Sequence, residues 1–484
     1  MTEIVVGFAL VAIVLLATPL ISGVVDRSPL SFAFLFLLLG IALGDSGFGL
    51  IELDLHDRLL EIIATLTLAL VLFLDAVKLQ ISELRSRWFV PALTLGPGTA
   101  LIITLIAFSI TWLTDLPLIV GFIGGAILAS TDPVVLRELI RDNRIPRSVR
   151  QTLRIEAGMN DLVVLPTILI LAAIATASST GAQDWVVFLS KLLLIGPAIG
   201  FAIGGAGSWL MIRIDRRTPI RRELQSMYGL GLVLGSYAAG TAVGGDGFLA
   251  AFAAGLAVVL LNQTLCDCFL EYGEVTSEMA MLVSFILFGI VLSGLMPDIA
   301  WGPALLLAGI VIFLIRPGSL VLVLLRAHMS WEARGFVAWF GPRGLNSLLL
   351  ALLVVQLHVD GAETLMGAVG IVVLVSTILH GASARPAIKW YAKRIQGSVH
   401  EEEREADAAG IFEGHGESIP RVSVDDLELR LNSEEPPIVL DVRSRFSYES
   451  DGFRIAQDIR VQPDELSSWM LENEPGRKVV AYCT

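Results

Sequence analysis

LIVGFIGGAILASTDP (residues 118–133) is an apolar run that stops at an aspartate followed by a proline. Runs of about 18–25 mainly apolar residues, the length a helix needs to cross a bilayer, recur along the chain as far as residue 385. The composition agrees, because 55% of the 484 residues are hydrophobic, 17% are charged and the mean hydropathy is +0.74. We therefore predict an all-α polytopic membrane protein with about thirteen transmembrane helices.

The acidic charge is concentrated at the C-terminal end. Residues 401–484 contain 20 acidic residues against 9 Lys or Arg, which is −11 of the total charge of −13. This balance argues against nucleic-acid binding and against docking on anionic lipid. Three cysteines do not form a disulfide framework. Because Glu3 replaces the basic start of a signal peptide, we expect the first 25 residues to be a retained helix.

A change in composition after Arg394 indicates a domain boundary, since a stretch rich in Glu, Gly and Ser follows it. The predicted domains are 1–394, a transmembrane domain; 395–420, a linker; and 421–484, a partial cytoplasmic α/β domain. In the last of these, the pattern predicts a helix near Val424–Leu431, a strand at Ile438–Val442 and a further apolar run at Val479–Tyr482.

Basic residues fall in alternate loops, and the opposite loops contain almost none. This asymmetry predicts an N-terminus outside the cell and a cytoplasmic C-terminal tail. We expect a multi-pass protein of the inner (plasma) membrane. Thirteen helices divide into two groups of six joined by one linker helix. This arrangement predicts two six-helix repeats of inverted topology. The fifth helix of each repeat is interrupted, helix 5 at Ala129–Pro133 and helix 12 at Gly341–Gly344.

The sharpest polar cluster is Glu156-Ala157-Gly158-Met159-Asn160-Asp161, in helix 6. Ionisable residues are costly in a bilayer and usually functional. On a helix Ala157 and Asp161 share one face, so Asp161 can face a cavity while Glu156 points elsewhere. A buried carboxylate there can hold a proton or a desolvated Na⁺ or Li⁺, but not both. The alternative is a structural acid paired with an arginine.

The break in helix 5 offers oxygen ligands. Pro133 lacks a backbone N–H and clashes with the preceding turn, so carbonyls near Ala129–Thr131 are expected to be freed and to suit an alkali cation. Asp132 can compensate a positive half-helix end, and we also count it among the candidate cation-binding residues. A plain proline kink with a capping aspartate is the alternative.

Three further charges lie within the apolar segments. Arg316 needs an acid, and Glu156 is the mid-depth acid without another assignment, so we predict a buried structural Glu156–Arg316 pair. Arg343 is expected to face carbonyl ends at the helix 12 break and to compensate their charge. Asp75 is either an acid that gates the cavity or a helix-end residue.

These motifs resemble, in this order, a known family. Thr131-Asp132-Pro133, the Glu-x-x-x-Asn-Asp motif, the mid-helix Arg316 and Gly341-Pro342-Arg343-Gly344 look like the bacterial Na⁺(K⁺)/H⁺ antiporters of the monovalent cation–proton antiporter superfamily, over roughly residues 1–390. The resemblance implies a homodimer, a core bundle of helices 4–6 and 11–13, and elevator-like alternating access. It implies no cofactor.

The resemblance also assigns roles. Asp161 would carry the cation and the proton, Asn160 would support the site and Thr131 would supply a backbone ligand. The Asn-Asp pair resembles the electroneutral branch, which exchanges one cation per proton. Asp75 stands where that branch often has a Glu near the ion, and Ala157 replaces a Ser that often contributes an oxygen, so water or another carbonyl must complete the shell. Na⁺ is the expected ion and K⁺ the second candidate.

The tail carries a second resemblance, to rhodanese-like domains. Ile438–Ser444, which contains Asp-Val-Arg, and Val479–Thr484 match that family's strand ends. The likeness implies that Cys483 accepts sulfur and that Asp441 and Arg443 support it. Because the chain stops one residue after Cys483, we expect only a partial domain, with a redox- or sulfur-responsive role or none. A membrane-anchored sulfurtransferase and a channel are the rival functions.

Overall fold

The structure is a computed structural model. It describes residues 3–25, 31–79, 89–132, 136, 139–140, 142, 145, 147–176, 182–327, 329–395, 422, 424–433, 436–441, 454–455, 457–461, 469, 473 and 478–482. The chain divides into two compact units, Met1–Asp407 and Ala408–Thr484.

The described part of the first unit is built from helices. They are α1 Glu3–Val25, α2 Phe32–Leu43, α3 Arg58–Val77, α4 Phe89–Leu93, α5 Thr99–Thr114, α6 Leu118–Ala129, α7 Arg147–Thr176, α8 Ala182–Ser190, α9 Gly196–Asp215, α10 Arg222–Ala242, α11 Gly247–Leu261, α12 Gln263–Leu295, α13 Trp301–Gly309, α14 Arg316–Leu324, α15 Trp331–Trp339, α16 Leu345–Gln356 and α17 Ala362–Ile395. Among the described residues, seven continuous helices are long and apolar enough to cross a membrane. The prediction of a mostly helical multi-pass membrane protein is confirmed, while the count of thirteen and the inverted repeats stay predictions.

Two apolar helices stop early, where the sequence predicts breaks. Helix α6 has 12 residues and ends at Ala129, after which Ser130 is extended (φ −58°, ψ 138°). Helix α15 ends at Trp339, and α16 begins only at Leu345. The intervening residues 340–344 include Pro342, which has no N–H to offer a helix. Both interruptions are therefore present, and they leave helix ends inside the apolar part of the protein.

Helices α4–α5 and α13–α14 are each continuous through one wide π turn. These turns lie at Thr94–Gly98 and at Ile310–Ile315, the second directly before Arg316. A π turn rotates the helix that follows it and commonly marks a functional position. Pro97 lies within the first turn and Pro317 lies just after the second, and each proline disfavours regular helix. Arg316 is the first residue after the second turn.

Close helix packing holds the rest of the first unit together. A Cβ at Gly200 of α9 would overlap the carbonyl oxygen of Ala250 on α11, and a Cβ at Gly40 of α2 would overlap the carbonyl oxygen of Ile286 on α12. Only glycine allows these backbones to approach so closely. Gly200 and Gly40 therefore serve close contact between helices rather than flexibility.

The second unit contains a helix and a small parallel sheet. Helix α18 spans Val424–Leu431, and strands β1 Ile438–Asp441, β2 Ile459–Arg460 and β3 Val479–Tyr482 pair in the order β2-β1-β3. The helix and the apolar strands predicted from sequence are present, and Val442, the last residue of the first predicted strand, lies outside the described residues. The sequence analysis missed β2, because a strand of two residues has no alternating pattern to detect.

Candidate functional site

Asp161 lies on α7 with 2% of its surface exposed, and both of its carboxylate oxygens accept hydrogen bonds. The Ser130 hydroxyl donates to Oδ1 at 2.7 Å, and the Asn346 amide donates to Oδ2 at 2.7 Å. Both donors are neutral, and no Lys, Arg or His in the described part of the chain forms an ion pair with Asp161. This buried acid is therefore held without a cationic partner.

The first helix break (residues 130–132, after α6) and the second (residues 340–344, between α15 and α16) cross each other beside Asp161. The Asp132 backbone N–H donates to the Pro342 carbonyl at 2.9 Å, and the Leu345 N–H donates to Asp132 Oδ2 at 2.8 Å. Asp132 thus caps the N-terminus of α16, where a carboxylate is favoured by the helix dipole. A Cβ at Gly344 would overlap this carboxylate, so the position requires glycine. Asp132 therefore acts as a helix cap, and its role in cation binding stays a prediction.

Arg343 is buried and serves the opposite break from the one expected. Its Nη1 donates to the carbonyls of Ala129 at 2.7 Å and of Ser130 at 2.8 Å, both at the C-terminal end of α6. The sequence prediction placed these contacts at the helix 12 break and is wrong in that respect. The hydrogen bond from the Asp132 N–H to the Pro342 carbonyl holds the two breaks together, so the carbonyls at the end of α6 lie within reach of the Arg343 guanidinium. Arg343 still compensates the charge of a helix end, but that end belongs to α6 and not to its own break.

Asn160 connects α7 to the first break. Its Nδ2 donates to the Ala129 carbonyl at 2.7 Å and lies 3.4 Å from Thr131 Oγ1. Because a carbonyl only accepts, these contacts fix which end of the amide points there. The other end, Oδ1, is buried and has no hydrogen-bond partner among the described residues. A buried oxygen in this state suits a cation or a water.

The structure brings Glu156 and Arg316 together. Arg316 Nη1 donates to Glu156 Oε1 at 2.7 Å, and Nη2 donates to the Phe340 carbonyl at 2.9 Å. The two side chains are 6% and 3% exposed. A Cβ at Gly341 would overlap the guanidinium, so Arg316 lies flat on the second break. This arginine therefore joins α7 to the C-terminal end of α15.

The helix ends at the crossing are matched by charge. Arg343 contacts the C-terminal end of α6, Arg316 contacts that of α15, and Asp132 caps the N-terminus of α16. Each sign is the one that the helix dipole favours. Glu156 has Arg316 as its partner. Both carboxylate oxygens of Asp161, in contrast, accept hydrogen bonds from neutral donors among the described residues.

A second layer of hydrogen bonds supports the second break from α17. The Arg343 backbone N–H donates to Ser376 Oγ at 2.8 Å, and Ser376 Oγ lies 3.1 Å from His380 Nδ1. The His380 Nε2 faces the Trp339 carbonyl at 3.1 Å. His380 Nδ1 also lies 2.9 Å from the Ser376 carbonyl, so both ring nitrogens contact acceptors and the tautomer decides which of them donates.

The remaining predicted site residues lie further out. Asp75 is buried on α3. Its backbone carbonyl oxygen lies 3.9 Å from the position that a Cβ of Gly158 would take, and Gly158 is one helical turn before Asp161. In the second unit, the buried Asp441 accepts a hydrogen bond from Tyr482 at 3.1 Å and lies 3.5 Å from Arg460. Arg443 and Cys483 are outside the described residues.

Comparison with known proteins gives the family. The model of the family described as "Sodium/hydrogen exchanger, transmembrane" matches residues 10–390, and the chain belongs to this family. The K(+)/H(+) antiporter NhaP of Alkalimonas amylolytica is 28% identical over 363 residues, which are 73% of this chain and 61% of that protein. The K(+)/H(+) antiporter NhaP2 of Shewanella sp. (strain ANA-3) is 28% identical over 386 residues, 79% of this chain and 66% of that protein.

The chain is also similar to a relative named as a Na(+)/H(+) antiporter and to a solved structure. The Na(+)/H(+) antiporter ApNhaP of Aphanothece halophytica is 26% identical over 358 residues, 71% of this chain and 67% of that protein. The sodium proton antiporter MjNhaP1 from Methanocaldococcus jannaschii superposes with a TM-score of 0.66 at 20% identity, covering 82% of this chain and 100% of that chain. The chain spans 61% and 66% of the length of the two K(+)/H(+) relatives above.

Proposed function

We propose that the protein is a secondary antiporter that exchanges a monovalent cation for a proton at Asp161. The observation that carries this proposal is a buried carboxylate whose two oxygens have only neutral donors, Ser130 and Asn346. A carboxylate in such surroundings is costly as a bare anion, so it is stabilised by gaining either a proton or a cation. The two ligands compete for the same charge, which couples their transport.

The charges around the crossing support exchange of one cation per proton. Glu156 is neutralised by Arg316, and Arg343 and Asp132 lie on helix ends of matching sign. Asp161 then changes by one charge, whether it gains a proton or a cation. The site therefore has the same net charge when it holds a proton as when it holds a cation, and this favours electroneutral exchange.

Na⁺ is the first candidate for the transported cation and K⁺ the second. The names of the relatives include both ions, since NhaP and NhaP2 are named K(+)/H(+) antiporters and ApNhaP is named a Na(+)/H(+) antiporter. Asn160 Oδ1, which has no partner among the described residues, suits either ion because both prefer hard oxygen ligands. The other members of the proposed cation-binding set are Asp75, Thr131 and Asp132, and the Asp75 backbone lies near the turn that precedes Asp161.

The wider proposal follows the family resemblance. The protein would act as a homodimer in the inner (plasma) membrane, with its N-terminus outside and its tail in the cytoplasm. Alternating access would move the core bundle past its scaffold, and the crossed breaks would travel with Asp161 as part of that bundle. The many apolar helices argue against a sulfurtransferase that uses the membrane only as an anchor, since one or two helices would serve.

The tail is proposed as a rhodanese-like domain with Cys483 as its sulfur acceptor. Its parallel strands end together at Asp441, Arg460 and Tyr482, and Cys483 directly follows the last strand. Ligands commonly bind at the carboxyl ends of parallel strands. If exchange responds to persulfide donors in the wild type and equally in Cys483→Ser, the sensor role is excluded.

Purified protein in proteoliposomes tests the main proposal. A pH gradient is imposed, and proton movement is followed after addition of Na⁺, K⁺ or Li⁺. We expect saturable exchange in the wild type, none in Asp161→Asn, and normal exchange in Asp298→Asn, a control that removes an exposed acid. Equal rates with and without a membrane potential would support electroneutrality, whereas ion flow without proton movement would indicate a channel.

A further inference from the structure

The proposed exchange leaves open which groups complete the cation's oxygen shell. The sequence offers backbone carbonyls at Ala129–Thr131 for this purpose. In the structure the Ala129 carbonyl accepts from both Asn160 and Arg343, so both of its lone pairs are used. The Ser130 carbonyl accepts from the Arg343 guanidinium, whose charge repels a cation. Two of the three expected ligands are therefore committed to protein donors.

The α7 helix does not replace them. Ala157 shares the buried face of Asp161 but has no side-chain oxygen. Ser130 and Asn346, in contrast, already touch the carboxylate, from the first break and from the first turn after the second break. Their contacts join positions 31 and 185 residues away from Asp161. Both side chains are buried, at 1% and 2% exposure.

Both of these side chains can donate a hydrogen bond and can also offer an oxygen. A hydroxyl is both donor and acceptor, and a carboxamide carries an NH₂ and a carbonyl oxygen on one pivot. Each can therefore donate to an ionised Asp161 and, after a rotation about its own side-chain bonds, present an oxygen to a cation. Arg343 and Arg316 cannot do this, because a guanidinium only donates.

We propose that Ser130 and Asn346 are ligands of the transported cation, and that they hold Asp161 by hydrogen bonds until the cation arrives. This inference rests on the proposed exchange at Asp161 and assigns its ion shell. On binding, the ion takes a carboxylate oxygen, the serine hydroxyl oxygen and the Asn346 amide oxygen, and the two donated hydrogen bonds are released. On protonation, the Ser130 hydroxyl turns to accept from the acid, while the Asn346 amide continues to donate.

Asn346→Leu and Ser130→Ala test the assignment in proteoliposomes, with Asn346→Gln and Ser130→Thr as variants that keep the chemical group. We expect each removal to raise the KM for the cation about tenfold, as the loss of one polar contact worth about 1.4 kcal/mol predicts. We also expect the ratio of KM values among Li⁺, Na⁺ and K⁺ to change, and the Gln and Thr variants to recover most of the affinity.

The matched control is Ser347→Ala. Ser347 is the buried neighbour of Asn346, and its hydroxyl donates to the Ile127 carbonyl at 3.1 Å rather than to Asp161. A KM and an ion ratio that stay at wild-type values in Asn346→Leu and Ser130→Ala would overturn the assignment. If Asp161→Asn is inactive in the same assay, the exchange itself stands; if it is active, the exchange fails instead. Melting temperatures in detergent identify any variant that loses affinity by misfolding.

Discussion

Replacing Glu156 with Gln keeps the size of the side chain and removes its charge. Arg316 would then lie 3% exposed with the Phe340 carbonyl and a neutral amide as its partners. Breaking one member of a buried ion pair typically costs about 3–5 kcal/mol, because the remaining charge stays desolvated. We expect Glu156→Gln to lose unfolding free energy in this range.

A double variant separates the charge from the packing. Glu156→Met with Arg316→Met removes both charges and leaves the Phe340 carbonyl without its guanidinium donor, a loss of about 1–3 kcal/mol. The double variant should therefore be more stable than Glu156→Gln alone. Equilibrium unfolding in mixed detergent micelles measures both. If the double variant is less stable than Glu156→Gln, the pair does not work as a desolvated ion pair and the reasoning is refuted.

Two glycine substitutions test the packing around the site. Gly344→Ala places a methyl against the Asp132 carboxylate, so we expect loss of the α16 cap, about 0.5–2 kcal/mol, and slower exchange. Gly200→Ala places a methyl against the Ala250 carbonyl, so we expect a lower melting temperature by separation of α9 from α11, with the cation KM unchanged in folded protein. Gly335→Ala is the control for both, because a methyl there meets nothing within 4 Å; equal melting temperatures for all three variants would contradict the packing described.

The sequence predicts the helix breaks well, because Pro133 and the glycines at 341 and 344 disfavour helix wherever they lie. It also predicts the Glu156–Arg316 contact, since a buried arginine needs a nearby acid and few acids lie at mid-depth. Both inferences depend on residue chemistry alone. They require no knowledge of how the helices are arranged.

The contacts of Asp161 could not be predicted in the same way. Ser130 precedes a Thr-Asp-Pro motif and Asn346 follows a glycine, so each looks like an ordinary residue near a helix end. Their approach to Asp161 depends on the crossing of two breaks that are more than 200 residues apart, as the hydrogen bond from Leu345 to Asp132 shows. The same crossing sends Arg343 to the carbonyls of α6. A buried polar residue beside a predicted break is the signal that would have directed attention to Ser130.

Proton release on cation binding tests the central claim most directly. Na⁺ or K⁺ is added to purified protein in weakly buffered detergent solution, at a pH where Asp161 is protonated, and the change in pH is recorded. The account predicts release of about one proton for each cation bound by the wild type, and none from Asp161→Asn. Cation binding without proton release, or the same release from Asp161→Asn, would contradict it.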